Sequence, residues 1–366
     1  MLPVVNQLVN LCDDGLGQYC HWGTTTQDIT DTALILQIRD ALCLVEKDLK
    51  SIAQSLQSLA EQHKNTPMIG RSNLQQATPI TFGYKVATWL AGIHRHLVRL
   101  DQLRPRVLVG EFGGASGTLA TLGSQGLEVQ SLLMQELGLG VPDITYHTVR
   151  DNIAEVGCFL GLVTGSLAKI SMDVKLMMST EVAEVSEPFI EGRGSSSTMP
   201  QKRNPISCNF IHACAAGVKL QVAALLDAMV ADHERATGPW EIEWIAIPEI
   251  FSLTAGALNQ ANFMLSGLEV HEANMRRNLN LTKGLVCTEA VMMALANKVG
   301  RQKAHDLIYD ICHQANANDK SLLELLSDNA EVSQNLTVDQ LKQLLEPERY
   351  TGLASVMVDK LLKQIT

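Results

Sequence analysis

The chain is predicted to fold as an all-α protein, a bundle of long helices followed by a small C-terminal helical domain. Three observations predict it. Aromatic residues make up only 4% of the 366 residues, while Leu, Ala, Val, Gln and Met are plentiful, a composition that favours helix over sheet. Apolar residues fall at Leu34, Ile38, Leu42, Val45, Leu49, Ile52, Leu56 and Leu59, steps of three and four that trace one helix face. No stretch reads as a strand ladder.

The elements follow in order. The helix carrying that stripe ends at Thr66, Pro67 and Gly70. A second spans 79–103 and is closed by Pro105. The glycine-rich residues 110–117 break the pattern, 118–137 resume it, and a long helix occupies 148–185. Two more are expected at 205–235 and 247–265. Several of these are apolar on more than one face, and one chain has too few helices to cover them all, so a bundle shared between subunits is the economical solution. After Gly267 the texture changes to shorter, more charged helices at 287–298, 302–316, 321–327, 337–345 and 354–364. The expected organisation is therefore 1–30, then a central bundle over 31–265, then a small helical domain over 266–366.

Composition narrows the function classes. A formal net charge of −10 and no basic patch argue against a nucleic-acid partner. An anionic substrate must then be held by a few local cations. Eight scattered cysteines without a Cys-x-x-Cys pair read as reduced thiols of a cytoplasmic protein, and neither a metal site nor a disulfide framework is expected. Residues 1–16 lack a basic segment and run into Asp13 and Asp14, unlike a signal peptide. The most apolar long stretch, 206–231, contains Asn209, His212, Lys219, Gln221 and Asp227, so it reads as a buried bundle helix rather than a membrane span.

Chemistry concentrates in residues 192–205, Gly-Arg-Gly-Ser-Ser-Ser-Thr-Met-Pro-Gln-Lys-Arg-Asn-Pro. Gly192 and Gly194 allow the backbone to fold over a ligand. Ser195, Ser196 and Ser197 offer hydroxyls, Lys202 a point charge and Asn204 an amide. Asn204 and Pro205 also suit the start of the next helix, whose free N–H groups seat an anion. Read without that order of residues, the segment is a solvated linker. Two further segments stand out. Residues 20–32 place Thr24, Thr25 and Thr26 before a helix, with Asp28 and Asp31 in its first turns, a pattern that also serves simple capping. Residues 70–79 read Gly-Arg-Ser-Asn-Leu-Gln-Gln-Ala-Thr-Pro.

The serine-rich loop resembles the signature loop of the fumarase/aspartase superfamily. Its surroundings, with the Trp240 to Trp244 segment, look most like the 3-carboxy-cis,cis-muconate cycloisomerase branch. The resemblance covers about residues 3–350. It implies an enzyme that adds or eliminates a group beta to a carboxylate of a small polycarboxylate, without a cofactor. Ser196 aligns with the superfamily's general base, its alkoxide stabilised by loop N–H donors, Lys202 and the helix start. Lys202 and Asn204, with Ser197 beside them, would hold the aci-carboxylate intermediate. Residues 21–28 resemble the motif His-x-Gly-x-Thr-Ser-x-Asp, so Thr25 and Thr26 take the positions that bind a substrate carboxylate, and His21 lines the site. Residues 70–75 resemble Gly-Arg-Thr-His-x-Gln; Ser72 keeps the hydroxyl, but Asn73 replaces a histidine and cannot shuttle a proton near neutrality. That departure disfavours argininosuccinate or adenylosuccinate cleavage. Residues 146–151 look like Trp-His-Thr-x-Arg-Asp, making His147 a proton donor or carboxylate ligand, or else part of a hydrogen-bonded turn. Arg235, in a His-Glu-Arg segment, suits a carboxylate through its planar fork, or else pairs with Glu234. Arg71 reads as structural, and His63, His94, His96, His271, His305 and His313 as non-catalytic.

The resemblance further implies a homotetramer whose active sites each draw on three chains. It implies an N-terminal helical region of which residues 1–30 are the remnant, so the expectation is a truncated chain or a protein that manages without it. The readings left open are a 3-carboxymuconate-type cycloisomerase, a decarboxylase or isomerase of an unsaturated tricarboxylate such as trans-aconitate, an argininosuccinate- or adenylosuccinate-type lyase, and a non-catalytic structural homologue.

Overall fold

A computed structural model describes residues 1–317 and 320–365. Among them, fourteen α-helices dominate, and the all-α expectation holds. The chain divides into two compact units, each assembled from three separate segments.

The first unit comprises Met1–Ser51, Arg95–Ser171 and Ser207–Asn262. Helix α1 (Leu2–Leu11) opens it, and α2 (Thr26–Gln62) contributes its first 26 residues. The end of α3 (Phe82–Val107), all of α4 (Gly126–Leu137), most of α5 (Asp151–Met177) and nearly all of α6 (Ile206–Ala228) and α7 (Pro239–Ser266) complete it. In the stripe read from the sequence, Ile38, Leu42, Val45, Leu49, Ile52 and Leu56 are buried, and its ends shift to Ile35 and Ala60. Close approach of α5 to α6 and α7 rests on Gly157, where a Cβ would stand 2.5 Å from Leu225 Cδ1 and 3.4 Å from Ile250 Cδ1.

Helices α5 and α6 are each long and apolar enough to cross a membrane by length and composition. In α5, 56% of the most apolar window is buried within the fold, as in a core helix. In α6 only 22% is, and Phe210, Leu220 and Leu226 remain exposed, so this helix presents an uncovered apolar face.

The second unit comprises Ile52–His94, Met172–Ile206 and Phe263–Thr366. It departs from the expectation of no strands. Strands β1 (Pro67–Ser72) and β2 (Gln75–Thr81) pair antiparallel, with a register shift between Ile69 and Arg71, and β3 (Val185–Ser186) pairs with β4 (Glu269–Val270). Residues 67–81 fold back because Asn73 and Leu74 both adopt positive φ, 52° and 64°, giving a two-residue turn of the kind that suits a twisted hairpin. Helix α3 accordingly starts at Phe82 rather than at residue 79.

Other bounds shift for identifiable reasons. The 118–137 stretch splits into a 3₁₀ segment (Ala120–Gln125) and α4, with a kink at Gly123. Helix α7 begins at Pro239, not 247, because Pro248 is accommodated inside it. Helix α5 ends at Met177, short of 185, where the chain turns into β3. The last segment folds as α8 (Glu272–Leu279), α9 (Thr288–Val299), α10 (Arg301–Ala317), α11 (Leu322–Asp328), α12 (Ala330–Asn335), α13 (Val338–Leu344) and α14 (Ala354–Ile365). Val291, Leu295, Ile308, Ile311, Leu326, Val332 and Leu341 form its core.

Candidate functional site

The residues singled out from the sequence fall into two groups. His21, Thr25, Thr26, His147 and Arg235 belong to the first unit; Ser72, Asn73, Ser196, Ser197, Lys202 and Asn204 belong to the second.

In the first unit, α2 starts at Thr26, which makes Asp28 its third residue. The Asp28 carboxylate reaches back to accept from the Thr25 N–H at 2.9 Å, one half of a capping box. Thr25 Oγ1 is thereby free to accept from Arg235 Nη1 at 2.8 Å. Arg235 also donates through Nε to Gln27 Oε1 at 2.9 Å and through Nη1 to Ala115 O at 3.2 Å. It does not pair with Glu234, and its second terminal nitrogen has no protein partner among the described residues. Asp232 closes the turn that carries Arg235 by accepting from the N–H and hydroxyl of Thr237, both at 2.8 Å. His21 sits at positive φ, 62°, with Nδ1 2.8 Å from Thr24 Oγ1. Thr26 is exposed. The result is a polar turn at a helix N-terminus with a half-buried guanidinium beside it, chemistry suited to a carboxylate.

Beneath this turn lies a buried ionic layer. Asp28 accepts from Gly113 N at 3.0 Å, Gly114 N at 2.9 Å and His147 Nε2 at 2.6 Å, in addition to Thr25. Burial alone would raise its carboxyl, but the His147 bond and the three backbone donors hold it below the usual range. Gly113 must be glycine, since a Cβ there would stand 2.3 Å from Thr145 Cγ2. His147 is only 4% exposed and therefore sits under the carboxylate turn rather than open to solvent. Further along, Arg150 donates through Nε and Nη2 to both oxygens of Glu243, at 2.9 and 2.6 Å, and through Nη1 to Asp31 Oδ2 at 2.7 Å. Trp240 Nε1 donates to the other Asp31 oxygen at 3.0 Å.

Asp28, Glu111 and His147 have the donor types of a metal site, with ligand atoms within 4.8 Å of one another. Four hydrogen bonds already fill the two oxygens of Asp28, however, so a cation there would have to displace His147 or a backbone donor. The arrangement fits a proton-linked cluster better.

In the second unit, the signature loop folds on itself. Gly194, at φ +73°, turns its carbonyl to accept from Asn204 N at 2.9 Å and from Asn204 Nδ2 at 3.0 Å. Within this closure Ser196 Oγ accepts from Met199 N at 3.0 Å and Thr198 N at 3.3 Å. Arg203 anchors the loop's end on both oxygens of Glu269, at 2.9 and 3.0 Å, and on Glu187 O at 2.7 Å. Arg193 stacks over Phe263, 3.8 Å from the ring centre. The hollow beneath the loop measures about 30 Å³, room for about one water-sized sphere. Ser197 and Lys202 are exposed on the outside of the loop.

Ser72 and Asn73 are exposed at the hairpin tip, and asparagine tolerates the positive φ that the turn requires. Arg71 has the structural role expected of it, a two-pronged ion pair with the buried Glu184 at 2.7 and 2.8 Å. Sequence reasoning did not single out Gln27, Glu111 or Glu184. The available signal for Glu111 was a carboxylate between glycine and an aromatic residue in the 110–117 break.

Comparison with known proteins follows the same lines. Residues 5–220 match the family described as Lyase, and residues 284–361 match the Adenylosuccinate lyase C-terminus. The chain is 54% identical over 364 residues to Trans-aconitate decarboxylase 1 of Mycosarcoma maydis, covering 100% of this chain and 74% of that one. It is 48% identical over 366 residues to 3-carboxy-cis,cis-muconate cycloisomerase of Pseudomonas aeruginosa, covering 99% and 80%. The crystal structure of fumarate lyase from Mesorhizobium sp. BNC1 superposes with a TM-score of 0.93 at 49% identity, covering 99% of this chain and 82% of that one.

Proposed function

The chain belongs to the muconate-cycloisomerase branch of the fumarase/aspartase superfamily, an enzyme family, and on that premise we propose that it acts on a small unsaturated polycarboxylate through Ser196. The observation that carries this reading is the pair of N–H donors, Thr198 and Met199, on Ser196 Oγ. A serine hydroxyl is a very weak acid, and donors aimed at its oxygen favour the alkoxide that a base needs. Lys202 adds positive charge six residues on.

In the elimination direction Ser196 removes the carbon-bound proton and the electron pair moves into the adjacent carboxylate; its return forms the carbon–carbon double bond as the bond from the β carbon to the leaving carboxylate oxygen breaks. Lys202, Asn204, Thr25 and Thr26 stabilise the intermediate aci-carboxylate. Arg235 and Ser72 hold a second carboxylate, with Ser197, Asn73 and His21 lining the site. In lactonisation the order reverses: a substrate carboxylate oxygen bonds to the far carbon of a double bond, and Ser196 returns the proton. His147 supports the Thr25 turn through Asp28. No cofactor enters this chemistry.

The first substrate reading is 3-carboxy-cis,cis-muconate, cyclised to a lactone. The second is decarboxylation of trans-aconitate, favoured by the 54% identity to a protein of that name. Incubating purified protein with each acid separates them: loss of the conjugated ultraviolet absorbance without gas marks lactonisation, and release of carbon dioxide marks decarboxylation. No change with either acid removes both readings.

The enzyme is proposed to work as a homotetramer with shared sites. The uncovered apolar face of α6, with Phe210, Leu220 and Leu226 exposed, supports this. Mixing an inactive Thr26→Ala protein with an inactive Ser196→Ala protein is expected to restore part of the activity, because some mixed sites receive both intact residues. A fully active monomer by light scattering removes the proposal.

Asn73→His is expected to fold normally, since histidine also tolerates positive φ, and to leave kcat/KM unchanged or lower. Histidine adds bulk and a titratable group to a turn now occupied by a neutral amide. A several-fold gain would show that the native chemistry needs a proton shuttle there.

A further inference from the structure

Glu111 takes no part in the chemistry above, yet its carboxylate lies beside the Asp28–His147 pair. Its side chain is 0% exposed. Its backbone is fixed at both ends by Thr32 Oγ1, which accepts from Glu111 N at 2.9 Å and donates to Glu111 O at 2.8 Å. One carboxylate oxygen accepts from Tyr146 N at 2.6 Å. The other, Oε1, is buried, has no hydrogen-bond partner among the described residues and lies 3.9 Å from His147 Nε2, the atom that already holds Asp28 at 2.6 Å. An orphaned, buried carboxylate oxygen aimed at a histidine–aspartate pair is costly if ionised and acceptable if protonated.

We infer that Glu111 is a positioning residue that carries a proton beside the Asp28–His147 pair, and that its ionisation loosens the Thr25 turn. When neutral, it leaves His147 to Asp28 alone, and Asp28 keeps Thr25, Gly113 and Gly114 in register. When it ionises, a second negative charge competes for His147 Nε2, and Asp28 loses its strongest partner. The proton is exchanged with solvent; no bond to carbon is involved.

The charged surroundings agree. Asp28 and Asp31 face Glu111 from α2, His147 and Tyr146 from the loop before α5, and Arg150 just before α5 is neutralised by Asp31 and Glu243 of α7. Burial, opposed by the Tyr146 N–H and His147 and reinforced by Asp28 and Asp31, pushes the Glu111 carboxyl up to about 7.

The effect on substrate rests on the proposed role of Thr25 and Arg235 as carboxylate ligands; the protonation itself does not. Two measurements keep them apart. Infrared difference spectra of the full chain are expected to show the carbonyl stretch of a protonated carboxyl at pH 6 that vanishes by pH 8, and to lack it in Glu111→Gln. With trans-aconitate or 3-carboxy-cis,cis-muconate, whichever is turned over, the wild-type KM is expected to rise about threefold to tenfold over that interval, the loss of about one net hydrogen bond. The KM of Glu111→Gln stays flat, and kcat moves less in both proteins. Absence of the infrared band in the wild type, or a stoichiometric metal removable by chelator, overturns the inference. A band without turnover of either acid supports it and sinks the functional reading instead.

Discussion

Replacing Ser196 by alanine is expected to lower kcat on 3-carboxy-cis,cis-muconate by about 10²–10⁴-fold, the scale for losing a positioned proton acceptor or donor. KM is expected to change little. Carboxylate recognition is assigned to Thr25, Thr26, Lys202, Asn204 and Arg235, none of which the substitution removes. Lys202→Ala should differ in kind, raising KM as well as lowering kcat, because it removes charge from ground state and transition state alike. The Ser196 hydroxyl also closes a turn through Thr198 and Met199, so the loss could act on loop shape instead. Limited proteolysis separates the two: a loosened loop is cut faster and binds substrate worse, whereas loss of the base leaves both unchanged. Near-wild-type turnover in Ser196→Ala would rule it out as the proton-handling group.

Much of this molecule is legible from residue spacing, and the exceptions share a cause. The α2 stripe was readable because each of its buried positions follows from local periodicity, and its 37 residues leave no ambiguity of type. The β1–β2 hairpin was not. Its turn is Asn73–Leu74, with leucine where glycine usually supplies positive φ; Pro67 and Gly70 read as helix terminators and Pro79 as the start of the next helix, rather than as parts of a strand pair. The start of α7 was not legible either: the helix expected from 247 begins at Pro239, with Pro248 inside it. The loop and threonine segments announce their chemistry by residue type within a few positions. The buried ionic layer does not, because its partners lie far apart in sequence: Glu111 meets Thr32 across 79 positions, and Arg150 meets Glu243 across 93. Local reading sees only a charged residue in an apolar surrounding.

That layer supports the second large effect. Arg150→Leu is expected to destabilise the protein by about 3–5 kcal/mol, the range for removing one partner of a buried ion pair. The guanidinium binds both Glu243 oxygens and Asp31, and all three side chains are at most 2% exposed. Without it two carboxylates remain buried, with Trp240 Nε1 and Gln27 Nε2 as the remaining donors to Asp31. Burial already raises the Glu243 carboxyl despite Arg150, and loss of the cation raises it further. A carboxyl raised in the folded state binds protons that the unfolded chain has released, so the variant's stability rises as pH falls toward the unfolded carboxylate value. The deficit relative to wild type should therefore shrink between pH 8 and pH 5.5. Urea unfolding followed by circular dichroism at the two pH values checks both parts. A loss under about 1 kcal/mol, or a deficit that grows at the lower pH, would mean that the layer is not held together by Arg150. Adding Glu243→Leu to the variant should recover part of the loss, because it removes one of the stranded charges and fills its place with apolar volume.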